Sequence, residues 1–164
     1  MQRRRLLLAL PSLSLAGCGF ALRRPAQVPA QRILLSGFST LSPLAEELRR
    51  QLRTNPGVEV VDNLAAAQVV IDALREGRER ASAASTATGL VSDLSLRSRL
   101  RFRVRTPSGE VLIPETELLL FRDMAYSETN ALAKEIEADQ LYRAMEADIV
   151  QQVLRRLAAL PPRG

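Results

Sequence analysis

The sequence contains no histidine, no tryptophan, a single cysteine and a single lysine. Without histidine there is no Ser-His-Asp triad, and one cysteine permits neither an internal disulfide nor a His/Cys metal cluster. Acid–base chemistry is thereby reduced to carboxylate pairs. Glu115 and Glu117 share one strand face, and Glu135 and Asp139 share one helix face. The first pair has arginines available to it and the second reads as ordinary helix surface, so neither is a catalytic pair and no cofactor is implied. Lys134, flanked by acids, reads as an exposed helix residue. The Ser/Thr run at 82–88 has no glycines at a phosphate-cradling spacing. Aromatic residues make up only 4% of the chain, so the core must be aliphatic.

What is present fits one domain: 164 residues, 46% of them hydrophobic. A formal charge of +5 suggests a nucleic-acid binder, but it drops to +2 once Arg3, Arg4 and Arg5 are set aside as part of a cleaved segment. The remaining charge is uneven. Residues 75–105 hold eight arginines against three acids, and residues 110–148 hold ten acids against three bases. Such segments complement one another or a partner.

The N-terminus, MQRRRLLLALPSLSLAGC, has a basic start, a leucine-rich stretch and small residues before Cys18. The apolar run is far shorter than the ~20 residues that span a bilayer. Leu15-Ala16-Gly17-Cys18 resembles a bacterial lipobox, the bland alternative being an ordinary signal peptide with an incidental cysteine. Cleavage before Cys18 gives a signal peptide over 1–17, and acylation of the Cys18 thiol ties the chain to a membrane. Gly19 is not the aspartate associated with inner-membrane retention, which favours the outer membrane, on its periplasmic side. General and twin-arginine export both accommodate the arginine run.

The remaining chain divides into a tether over 18–31, a domain over 32–160 and a tail over 161–164. Arg32–Ser36 is a first strand ended by Gly37. Ser42 and Pro43 open a helix with Leu44, Leu48 and Leu52 on one face, and Asn55-Pro56-Gly57 stops it. Val58–Val61 is a short strand end, and a strand from Val69 continues to Arg80. Residues 81–92 read as a loop, and alternating strands follow over 94–105 and 110–122. From Ser127 to Leu160 the pattern is helical, with Leu132, Ile136, Met145, Ile149, Val153 and Leu157 on the expected apolar stripe. The fold class is α+β, with two helices packed on one face of a roughly four-stranded mixed sheet in the order β-α-β-β-β-α.

The stretch RSRLRFRVR places Arg97, Arg99, Arg101, Arg103 and Arg105 at every second position of one strand, opposite an apolar row. A three-residue loop at Pro107-Ser108-Gly109 sets Thr106 opposite Glu110, Arg101 opposite Glu115 and Arg99 opposite Glu117, with Pro114 able to shift the register. Arg99, Arg101, Glu115 and Glu117 then form structural hairpin pairs. Arg97, Arg103 and Arg105 stay unpaired by this count: they belong either to a solvated outer face partly neutralised within the hairpin or to the candidate contacts to an anionic partner.

Cys18-Gly19-Phe20-Ala21-Leu22-Arg23 resembles the C-G-F-x-L-R mature start of the LptE family of lipopolysaccharide-assembly lipoproteins. AKEIEADQLYRAME and DIVQQVLRRL are similar to that family's C-terminal segment, and the resemblance spans 18–160. It implies two helices on a four-stranded sheet and a non-enzymatic protein. It further implies residence as a plug inside the outer-membrane barrel LptD, help in assembling that barrel, and binding of lipopolysaccharide. Lipid A phosphates and the barrel wall are both partners for Arg97, Arg103 and Arg105. Two other readings compete: an auxiliary lipoprotein of an ABC-type phospholipid transport system, and a nucleic-acid binder whose N-terminus is not a signal. A chain held at the periplasmic face meets little nucleic acid.

Overall fold

The computed structural model describes residues 28–85, 89 and 91–161. The signal peptide, Cys18, most of the tether and the last residues of the tail lie outside the described residues. Strand β1 (Arg32–Ser36) leads through Gly37 toward helix α1 (Pro43–Arg53). At Gly37 the backbone takes φ +76°, and a Cβ would come within 2.3 Å of the Ala73 carbonyl oxygen, so no larger residue fits. Ser42 caps α1 by accepting from the Ala45 amide at 3.0 Å, with Pro43 in the first turn. Glu76 ties this start to the sheet, accepting from the Ser39 amide at 2.7 Å and the Ser42 hydroxyl at 2.5 Å. The face carrying Leu44, Ala45, Leu48 and Leu52 is buried.

Helix α1 is the crossover that lets β1 pair in parallel with the short β2 (Glu59–Val61). On its other side β1 pairs in parallel with β3 (Val69–Ser85), and β3, β4 (Val91–Arg105) and β5 (Val111–Ala125) form an antiparallel meander. The sheet order is β2-β1-β3-β4-β5. It is a mixed sheet of five strands, the addition to the expected four being three-residue β2. The expected loop over 81–92 is also narrower, because β3 persists to Ser85 and β4 resumes at Val91.

Helix α2 (Ala131–Ala158), entered through a 3-10 turn at Glu128–Asn130, runs along the antiparallel strands. At ~1.5 Å per residue it is long enough to cover most of β4, and it packs on the same face as α1. Met145, Ile149, Val153 and Leu157 meet Leu96, Leu100, Phe102 and Val104, all essentially inaccessible. Leu132 and Ile136 do not join this core and are 78% and 56% exposed. Counting about 100° per residue, Ile136 lies half a turn around the helix from Met145, with Leu132 near it. Their fourfold spacing belongs to a different stripe.

Candidate functional site: the open face of the sheet

With both helices on one face, no described helix covers the other, here called the open face, and strand parity decides what lines it. In β4 the even residues Leu94 to Val104 face the helices, and the odd arginines face outward. Ser98 also falls in the inward row, fully buried, with its hydroxyl unpartnered among the described residues. In β3 a register shift at Leu74, between Ala73 and Arg75, reverses the parity. Val69, Ile71 and Ala73 point inward before it, and Arg78 and Arg80 point inward after it. Arg78 forks onto Glu146 of α2 at 2.7 and 2.8 Å, reaches Asp139 at 3.0 Å and lies 4.9 Å over the Tyr142 ring. Arg80 grips Glu135 at 2.6 Å, and the Tyr142 hydroxyl donates to the Glu79 carbonyl at 2.7 Å. Part of the basic 75–105 segment is therefore neutralised by the acidic 110–148 segment across the helix–sheet seam.

The same shift places Asp72 and Arg75 on the open face, opposite Arg103 and Arg101. Asp72 accepts from Arg105 Nε at 2.7 Å and Arg103 Nε at 3.0 Å. Burial acts to raise its carboxyl, but the hydrogen bonds from Arg105 and Arg103 prevail and hold it below the ordinary aspartate range. Arg103 and Arg105 are thus ion-paired, not unpaired as the hairpin count gave. Their partner comes from β3, which a count along β4 and β5 alone cannot include.

The hairpin keeps its expected register at the turn, where the Thr106 amide donates to Glu110 at 2.8 Å and Gly109 takes φ +99°. Two shifts around Pro114 then move β5 along, so Arg101 sits opposite Glu117 and Arg99 opposite Leu119. The ion pairs run on the diagonal, Arg101 to Glu115 at 3.2 Å and Arg99 to Glu117 at 2.9 Å. Arg97 lies opposite Glu79 and Phe121, exposed, with no ion pair among the described residues. Arg75 is likewise exposed and without an ion pair among them, directly across from Arg101. Like charges placed opposite on adjacent strands are unfavourable, and an anion set between them removes the cost.

The open face is therefore basic along its middle, carries Leu119 and Phe121 beside Arg99 and Arg97, and turns acidic at Asp93 and Asp123. Arg75 has no signal in the sequence, since only the shift at Leu74 brings it onto this face. A cavity of about 200 Å³ between Pro29, Ala30, Val69, Leu112 and Leu160 has no ionisable lining residue, with Gln68 and Thr106 its polar ones, so it offers an anion no charge. Among the described residues no cluster of His, Cys, Asp or Glu could hold a metal ion, and no helix is long and apolar enough to cross a membrane.

Comparison with known proteins matches this arrangement to one family. The family model described as "Lipopolysaccharide-assembly", LptE, covers residues 30–157. The LPS-assembly lipoprotein LptE of Yersinia pestis (strain Pestoides F) is 31% identical over 155 residues, spanning 93% of this chain and 73% of the relative. Among solved structures, the uncharacterized lipoprotein B of Nitrosomonas europaea superposes with a TM-score of 0.72 at 26% identity, covering 86% of this chain and 91% of that one. The rare lipoprotein B of Shewanella oneidensis gives a TM-score of 0.65 at 25% identity, covering 78% and 94%. With a five-stranded mixed sheet backed by two helices and a family match over most of its length, the chain belongs to the LptE family of lipopolysaccharide-assembly lipoproteins.

Proposed function

We propose that this protein is an outer-membrane lipoprotein, held at the periplasmic side by acylated Cys18, that plugs an LptD barrel and helps it assemble. In the same reading it binds lipopolysaccharide on the open sheet face and supports its insertion into the outer leaflet, without catalysing a reaction. The observation that carries the proposal is the juxtaposition of Arg75 and Arg101 on that face, with Arg97 exposed four residues along β4 on the same face. Arg75, left without a carboxylate across from Arg101, and Arg97, left without one opposite the exposed Phe121, match a phosphorylated lipid better than they match water. Arg103 and Arg105 border this site; Asp72 holds the Nε of both and Nη2 of Arg105, whose Nη1 reaches the Thr106 carbonyl, so Arg103 is the one of the two with donors left for the lipid or the barrel wall.

Isolation of the full-length protein from detergent-solubilised outer membrane tests the partner. A stoichiometric large β-barrel is the expected companion, and recovery with inner-membrane transport components instead would overturn the reading. Cys18→Ala should release the protein from the membrane fraction. For the lipid, the Arg75→Glu/Arg97→Glu double variant should bind lipopolysaccharide at least about tenfold more weakly, in line with losing two charge-assisted contacts.

A further inference from the structure

The outermost long strand of the sheet, β5, has no neighbouring strand on one side among the described residues, and its hydrogen-bond pattern identifies the backbone groups that face that side. The Tyr126 amide donates to the Ser92 carbonyl at 2.8 Å, and Met124 and Leu94 pair two residues along. In an antiparallel ladder the hydrogen-bonded pairs alternate, so Leu118, Leu120, Arg122 and Met124 turn their backbone groups toward β4. Glu117, Leu119, Phe121 and Asp123 turn theirs to the open edge. The Arg122 guanidinium donates to the Phe121 carbonyl at 3.0 Å, as an outward carbonyl permits. That side chain is half exposed, so it can swing aside.

The edge residues also share the open face. Leu119 is 45% exposed and Phe121 62%, with Glu117 before them and Asp123 after them. Edge strands with apolar side chains and free amides pair with other strands unless something blocks them. Pro114 blocks only the start of β5. We infer that the Glu117–Asp123 edge of β5 receives an extended strand from another polypeptide, one with apolar residues at i and i+2 flanked by basic residues.

Charge selects this occupant over a second copy. Antiparallel pairing of two β5 edges that sets Leu119 against Phe121 also sets Glu117 against Asp123 at both ends. A strand with lysine or arginine at those places reverses both contacts. The edge supplies main-chain hydrogen bonds, and the Leu119 and Phe121 side chains supply selectivity. This inference goes beyond the proposed function and does not depend on which membrane protein the chain accompanies.

The probe is the peptide acetyl-Lys-Thr-Val-Thr-Val-Thr-Lys-amide, titrated onto the full-length lipoprotein in detergent micelles and followed by amide hydrogen exchange. Saturable binding should slow exchange at the Leu119 and Phe121 amides by about tenfold or more. The same peptide N-methylated at alternate residues should not bind, because its own edge is blocked while its side chains are unchanged. Phe121→Pro should lose binding too, as it removes an outward amide and no β4 bond. Equal binding of the N-methylated peptide overturns the inference in favour of simple apolar adhesion. Protection of the same amides without peptide, with a dimer seen by sedimentation, overturns it in favour of a second copy. Unchanged exchange with the unmethylated peptide also overturns it.

Discussion

Arg105 Nε lies 2.7 Å from the Asp72 carboxylate, reaching across from β4 to β3, and Arg103 reaches the same oxygen at 3.0 Å. One carboxylate thus restrains two rungs of the arginine ladder at the base of the open face. Its side chain is only 9% exposed, so its loss leaves two guanidiniums crowded without compensation. Asp72→Asn should cost about 1.5–3 kcal/mol in denaturant unfolding, the range for hydrogen bonds to charged groups.

Asp72 also sets a pH dependence. Its folded pKa lies below the ordinary 3.8 because the Arg105 and Arg103 hydrogen bonds outweigh burial. A depressed carboxylate contributes fully above its unfolded pKa and loses that contribution as pH falls through its folded pKa. The stability gap between wild type and Asp72→Asn should therefore be constant near neutrality and close progressively below about pH 4. A gap unchanged down to the acid limit would show that Asp72 acts by packing alone.

Arg75 should uncouple stability from binding. It faces Arg101 across two strands, so Arg75→Glu replaces a repulsive pair with an attractive one. Thermal unfolding should show a gain of about 0.2–1 kcal/mol. Lipopolysaccharide binding by the same variant should weaken. If both quantities fall together, Arg75 belongs to the scaffold and not to the site.

Ser98 offers a test away from the open face. It is fully buried in the inward row of β4 and its hydroxyl has no partner among the described residues. Ser98→Ala removes the unsatisfied group and should raise stability by about 1 kcal/mol, seen as a higher Tm.

Glu146 is the buried half of the contact between α2 and β3, doubly bonded to Arg78. Glu146→Ala leaves Arg78 only the partly exposed Asp139 and the Tyr142 ring, and should cost about 2 kcal/mol, less than breaking a fully buried pair because Asp139 stays bonded and Arg78 is partly solvated. Circular dichroism during chemical unfolding reads this directly.

The legible parts of the sequence were those governed by local rules. Ser42 and Pro43 mark the start of α1 through capping chemistry, and Pro107-Ser108-Gly109 marks the hairpin through its turn residues. Diagonal reach explains why Glu115 and Glu117 meet Arg101 and Arg99 although the strands slide past Pro114. Partners that depend on β3 were hidden, because nothing local announces which residues of β3 face outward. That is why Arg103 and Arg105 looked unpaired, Arg75 went unseen, and Arg78 and Arg80 gave no sign of their α2 contacts. Leu132 and Ile136 misled for a related reason, since a spacing of four does not tell which side of a long helix meets the sheet.

The irregularity at Leu74 works as a parity correction. Ile71 and Arg78 are seven positions apart, an odd separation, yet both point toward the helices. Leu74 is the supernumerary residue that reconciles the count. Deleting it should leave Asp72 and Arg75 outside and Arg78 and Arg80 inside, with a regular strand in place of the kink. Adding one residue between Arg75 and Arg78 instead would turn the distal half of β3 inside out, unless a second irregularity formed to restore it. Length changes in this stretch are therefore governed by even and odd, and the amphipathic character of the face is inherited through arithmetic as much as through the identity of its arginines.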